Sequence, residues 1–213
     1  MRAACCLVLL LAGLASMAAD AATSFIQART AAETGRPTVI RDYLDEGGAI
    51  DLLDERGSSL LIYAAREGHA EVVALLLARG ANPAQRSLHG ETAISLAAMN
   101  GHREVIDAFL AAGAPIEVPN AWSPLHYAAY MGHEKLVERL LQAGARVDAP
   151  ADNGATALML AIRGGHLDVV ETLLGAGASL TVRSDRGLTP LGWALANEQH
   201  RIADRLRKAG ARE

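Results

Sequence analysis

Apolar residues recur along this chain in two alternating patterns. The first is a quartet at i, i+1, i+4 and i+5. It occurs as Val72, Val73, Leu76 and Leu77; Val105, Ile106, Phe109 and Leu110; Leu136, Val137, Leu140 and Leu141; and Val169, Val170, Leu173 and Leu174. That spacing gathers four side chains on one stripe of a helix. The second pattern opens on a hydroxyl residue and runs into apolar and small residues: Ser59-Leu60-Leu61-Ile62-Tyr63-Ala64-Ala65, Thr92 to Ala98, Ser123 to Ala129, Thr156 to Ile162 and Thr189 to Leu195. Ser or Thr at the start predicts a helix N-cap, whose oxygen accepts from unpaired N–H groups of the first turn. Pro124 and Pro190 then fall at the first helical position, where proline forfeits no hydrogen bond.

Glycine punctuates both patterns. Gly-His follows the first helix at Gly68-His69, Gly101-His102, Gly132-His133 and Gly165-His166. The glycine ends the helix in the left-handed conformation and the histidine opens the next. Gly-Ala closes the second helix at Gly48-Ala49, Gly80-Ala81, Gly113-Ala114, Gly144-Ala145, Gly177-Ala178 and Gly210-Ala211, with successive spacings of 32, 33, 31, 33 and 33. A polar turn comes next, such as Asp54-Glu55-Arg56-Gly57 or Asp152-Asn153-Gly154. A beat of this length is the mark of a stacked solenoid. The predicted architecture is an all-α repeat solenoid of helix-turn-helix-β-hairpin units, about six in number. Their approximate bounds are 22–53, 54–86, 87–117, 118–150, 151–183 and 184–213.

The end units diverge as caps should, because a stack needs polar outer faces. The first keeps Val39, Ile40, Tyr43 and Leu44 and is expected to expose Arg29, Glu33, Arg41, Asp42, Asp45 and Glu46. The last keeps Ile202 and Leu206 but carries Arg207 where its siblings have Leu.

At these residues the chain closely resembles the ankyrin repeat family. Ser123-Pro124-Leu125-His126-Tyr127-Ala128 nearly repeats that family's Thr-Pro-Leu-His-x-Ala signature, and the resemblance covers roughly residues 24–213. It implies a fold of stacked helix pairs with projecting hairpin fingers. It also implies protein–protein recognition, by partners that differ from member to member.

The opening residues are of another kind. Arg2 is the only charge before Asp20, and Cys5 to Ala15 is an apolar run followed by small residues, Ser16 to Ala22. This is the three-part pattern of a secretory signal peptide, with cleavage expected after Ala18 or Ala21. Residues 1–21 are therefore assigned as the leader and 22–213 as one repeat domain, which places the protein in the periplasm or outside the cell. The alternative is a cytoplasmic chain with these residues as a tail. A membrane anchor would need roughly 20 apolar residues, and this run is shorter. Cys5 and Cys6, the two cysteines of the chain, both lie in the leader, so the expected mature protein has no disulfide and no thiolate chemistry.

Net charge is −4, with both signs interspersed and aromatic residues at 4%. No basic cluster offers itself to a phosphate backbone, so nucleic acid is not an expected partner. A membrane is not expected either once the leader is removed, and the protein is expected to be a monomer. The per-unit histidines cannot share a metal, since neighbouring units lie about 8–10 Å apart and zinc needs its ligands at about 2 Å. They are expected to bond backbone at the helix–turn junctions. His126 is expected to do similar work between hairpins, and His89 and His200 to be exposed. Ser59 and Ser123 are committed as caps, and there is no nucleophile elbow and no P-loop. Gly175-Ala176-Gly177-Ala178 stands at the wrong end of a helix for phosphate. No catalytic residue, cofactor or metal is assigned.

Departures from the unit carry more information than matches. Gly113 to Ser123 is 10 residues, against 12 for Gly80 to Thr92, Gly144 to Thr156 and Gly177 to Thr189. The finger at Pro119-Asn120-Ala121-Trp122 is therefore expected to be clipped, with Trp122 either pointing into the groove or filling the notch. In the family, the residues just before Gly-His face the concave groove; here they include Arg66-Glu67, Met99-Asn100, Tyr130-Met131 and Arg163. Finger tips add Leu88, His89, Glu91, Asn153, Arg186 and Leu188. The expected partner-binding site is one apolar centre of Trp122, Tyr130, Met131, Met99 and Leu88. Arg66, Glu67, Glu91, Arg163 and Arg186 rim it, as in an interface hot spot inside a polar rim, and Asn100 and Asn153 complete the expected site. Trp193 is assigned to the core. The functional expectation is a non-enzymatic module binding an unidentified protein through the concave groove. Alternatives are a regulatory or chaperone-like accessory of a secreted enzyme, and a small-ligand binder, which would need an enclosed pocket.

Overall fold

A computed structural model describes residues 24–118 and 121–212. Among these residues twelve helices follow one another in short antiparallel pairs. The first, α1, spans residues 24–33, and it is followed by α2 (Pro37–Asp45), α3 (Leu60–Glu67), α4 (Ala70–Ala78), α5 (Ala93–Met99) and α6 (Arg103–Ala111). Then come α7 (Pro124–Met131), α8 (Glu134–Gln142), α9 (Ala157–Gly164), α10 (Leu167–Gly175), α11 (Pro190–Ala196) and α12 (His200–Lys208). Odd-numbered helices form one layer, with α3 on α5, α5 on α7, α7 on α9 and α9 on α11. Even-numbered helices form a second layer behind it. The assigned leader, residues 1–21, lies outside the described residues. Among the described residues no helix is long and apolar enough to cross a membrane.

Burial follows from the two layers. An inner helix is enclosed by its inner neighbours, its own outer helix and the fingers. Leu60 to Ala65 in α3 and Ala157 to Ile162 in α9 are accordingly all buried. An outer helix has one face to cover, and three of each apolar quartet are buried on it: Val72, Val73 and Leu76 in α4; Leu136, Val137 and Leu140 in α8. The fourth member (Leu77, Leu110, Leu141 or Leu174) packs half-buried at the core's edge.

Each histidine pins its unit to the one before. His69, His102, His133 and His166 donate from Nε2 to the carbonyls of Glu33, Arg66, Met99 and Tyr130, at 2.9–3.0 Å. The ring packs against the preceding unit's glycine. A Cβ added at Gly68, whose φ is +85°, would come within 2.7 Å of the His102 ring. Each junction glycine thus answers two demands, a left-handed backbone and room for the next unit's imidazole. The last unit has neither residue: Gln199 takes the histidine's place against Gly165, and Glu198 takes the glycine's place with φ 57°.

Four features depart from the sequence's expectations. The fingers are not strand hairpins. Among the described residues the single ladder contact is the isolated bridge between Arg86 and Thr92, because each finger is too short to hold more. Its turn is closed instead by a repeated bond, Asp54 N–H to Ser58 O, Ser87 to Glu91, Ala151 to Ala155 and Ser184 to Leu188, at 2.8–3.1 Å. Second, Thr156 does not cap α9; its hydroxyl is buried without a partner, whereas Ser59, Thr92 and Thr189 accept from the third residue beyond them. Third, the unit register in the first repeat starts at Gly47. The Gly48 N–H bonds Tyr43 O as the Ala81 N–H bonds Leu76 O. Counted from Gly47 to Gly80 the spacing is 33, and a Cβ at Gly48 would strike the Tyr43 ring at 2.4 Å, which explains glycine where the siblings have alanine. Last, Arg29 and Glu33 are half-buried rather than exposed: Arg29 lies 6.0 Å from the Tyr63 ring of α3, and the Glu33 carbonyl accepts from His69 at the start of α4.

Candidate functional site

The fingers and the inner helices enclose a concave face, and its floor breaks into three clefts. The first, about 500 Å³, lies between the Glu55–Arg56 and Leu88–Glu91 fingers, over Ile62, Arg66 and Leu96. Leu88 is its most open apolar residue, 73% exposed. Arg66 lies 4.9 Å above the Tyr63 ring and 2.8 Å from Glu67, so its charge is already answered. Tyr63 donates its hydroxyl to Asp54, and Arg29 stands 3.8 Å from that carboxylate. Burial alone would raise Asp54. The bonds from Tyr63 and from the Ser58 and Arg56 amides, with Arg29 beside it, outweigh burial and hold the carboxyl below its usual range.

The second cleft, about 420 Å³, is lined by Arg86, His89, Trp122, Tyr127 and Asp152. Trp122 is half-buried here. Its ring centroid lies 5.2 Å from Tyr127 and 5.6 Å from Tyr130, the latter edge-on at 76°. Arg163 then covers the Tyr130 ring from the next unit at 5.5 Å. Burial pushes the Tyr127 hydroxyl up, and the Glu91 and Asp152 charges push it further. Beneath this group, His126 is buried and neutral. Its Nδ1 accepts from the Ser123 amide and hydroxyl at 3.0 and 2.9 Å, and its Nε2 donates to Ala149 O at 2.9 Å. That capping box fixes the start of α7 and with it the rings of Tyr127 and Tyr130. The third cleft, about 430 Å³, gathers Asn153, Arg163, Arg186, Leu188, Trp193 and Asn197.

The single apolar centre expected from the sequence is therefore divided. Trp122, Tyr130 and Arg163 come together. Leu88, Glu91 and Arg66 form a separate group, and Asn153, Arg163 and Arg186 a third, with Arg163 shared. Met131 is 43% exposed at the end of α7. Met99 is half-buried against the core, and Asn100 donates its amide to the Arg66 carbonyl at 3.0 Å, so these two serve the stack. Pro119 and Asn120 lie outside the described residues. Tyr127 was not among the expected site residues. Its signal was present in the i, i+3 spacing to Tyr130, which puts both rings on one helix face. Trp193 is 9% exposed, as a core residue should be, and donates to Ser184 Oγ at 3.2 Å, yet it also walls the third cleft.

Among the described residues no group of three or more His, Cys, Asp or Glu could hold a metal ion. No curated protein matches the chain. A family model described as ankyrin repeats (3 copies) matches residues 29–120, 112–184 and 149–212. Paired helices, per-unit histidines bonded to the preceding unit and a matching family model over nearly the whole described stretch lead to one conclusion: the chain belongs to the ankyrin repeat family.

Proposed function

We propose that this chain is a non-catalytic recognition module that binds a protein partner along its concave face, with Trp122, Tyr127 and Tyr130 as the anchor. Ankyrin repeats in general mediate protein–protein interaction. The observation that carries the reading is the aromatic group itself, half-open at the middle of the groove and flanked by charged clefts on both sides. Aromatic anchors held rigid by their neighbours bind at low entropic cost. Where a partner is found, Trp122→Ala with Tyr130→Ala is expected to weaken binding by roughly thirtyfold or more, the scale of hot-spot residues. Unchanged partner binding by the double variant would count against the reading. The leader pattern at residues 2–21 supports a place of action outside the cytoplasm. An intact mass beginning near Ala19 or Ala22 is the expected result, and an uncleaved cytoplasmic product the contrary one.

A further inference from the structure

We propose that the cleft between the last two fingers takes an aspartate or glutamate side chain from an extended segment of the partner, with Arg163 and Arg186 as its two cationic jaws. This rests on the reading of the concave face as the protein-binding surface. Two arginines near the groove already have a carboxylate: Arg66 has Glu67 at 2.8 Å and Arg29 has Asp54 at 3.8 Å. Arg163 and Arg186 line the same cleft, and neither makes an ion pair among the described residues. The Arg163 guanidinium lies over the Tyr130 ring, its Cζ 5.5 Å from the centroid, a contact that engages the face of the cation and leaves its N–H fork to a carboxylate. One acid, Asp185, lines the cleft, but its Oδ1 is turned onto the backbone of the preceding finger, where a Cβ on Gly154 would meet it at 2.5 Å. Two cations against one anion leave the cleft short of negative charge.

The rest of the lining specifies a peptide rather than a free anion. Leu188 and Trp193 give an apolar wall that a bare ion has no use for. Asn153 uses Oδ1 to accept from the Ala155 amide at 3.0 Å, which leaves its amide nitrogen to donate to a passing backbone carbonyl. Planar arginine forks recognise carboxylates in two-point fashion. An acidic side chain next to an apolar one matches the cleft in both charge and surface.

The test is selection of a phage-displayed library of random 12-residue peptides on the full chain. Enriched sequences are then made as synthetic peptides, acetylated and amidated so that no terminal charge remains. The expected peptides carry Asp or Glu beside an apolar residue. Arg163→Glu with Arg186→Glu weakens them by about tenfold to a hundredfold, the range for a charge-assisted bond. Replacing the peptide's acid by its amide has a similar effect, and the two losses are not additive, because they remove one contact. Both arginines are exposed, so the variant is expected to keep the wild-type thermal midpoint. Peptides that bind the arginine variant undiminished but are lost on Trp122→Ala with Tyr130→Ala would overturn the acidic cleft and leave the groove standing. Selection of no peptide that responds to either pair would overturn both.

Discussion

At the scale of single residues, the repeat is held by a bond that one position makes to another unit. Each Gly-His pair supplies a left-handed turn and, from the following unit, an imidazole that reaches back to a carbonyl about 36 residues earlier (His102 to Arg66). Glu198 shows the cost of departing from it. A non-glycine residue with φ 57° costs on the order of 1 kcal/mol. Glu198→Gly is therefore expected to raise stability by about 1 kcal/mol, read as a higher urea midpoint at unchanged slope. A lower midpoint would show that the Glu198 side chain matters more than its backbone. Thr156 offers a second test at this scale. Its hydroxyl is buried without a partner, whereas that of Thr92 accepts from Ser95 N–H. Thr92→Ala is expected to cost about 1 kcal/mol, and Thr156→Ala clearly less, since no cap bond is lost there. Equal costs would mean that the two hydroxyls do the same work. Sequence alone could not separate them, because both positions read simply as Thr before an apolar run.

At the scale of elements, the start of α7 depends on a neutral histidine. Burial pushes His126 below the usual imidazole range, and the Ala149 bond and the Glu117 and Asp152 charges offset that only in part. Unfolded, the ring titrates near pH 6.5. Folded, it takes up its proton at lower pH, so the unfolded chain binds more protons through that interval and stability falls as pH drops below about 6.5. His126→Gln retains a side chain able to complete the capping box, and it is expected to flatten the urea-midpoint profile between pH 6.5 and 5.5 at some cost at pH 7. A variant as acid-sensitive as the wild type would place the effect elsewhere. Helix positions were legible from the sequence because the caps, junction glycines and apolar stripes are local signals. The fingers were less so: a polar turn with glycine at its end looks the same whether strands or a single closing bond flank it. The grouping of Leu88 apart from Trp122 was not legible at all, since it depends on which finger leans over which helix.

At the scale of the molecule, each unit contacts only its neighbours, so stability is shared along the stack rather than centred. Leu140, fully buried in α8, joins its unit to the rest. Leu140→Ala is expected to cost about 2–5 kcal/mol and to speed amide exchange along the stack. Trp122→Ala, at a half-buried position, is expected to cost less. A larger loss at Trp122 would favour the notch-filling role over the anchoring one. On the back of the stack, Arg79 with Asp45 and Arg139 with Asp107 join successive outer helices, and exposed pairs of this kind add little stability. The concave side is different: its aromatic group is half-open, and Arg163 and Arg186 are exposed. The central claim is that this side receives a protein. It is tested most directly by a photo-crosslinking residue placed in the groove, at Leu88, and on the back, at Glu138 of α8, in cells that produce the full chain. Both positions are exposed. The account predicts a discrete protein adduct from Leu88 and none from Glu138, whereas adducts from Glu138 alone, or equally from both, would contradict it.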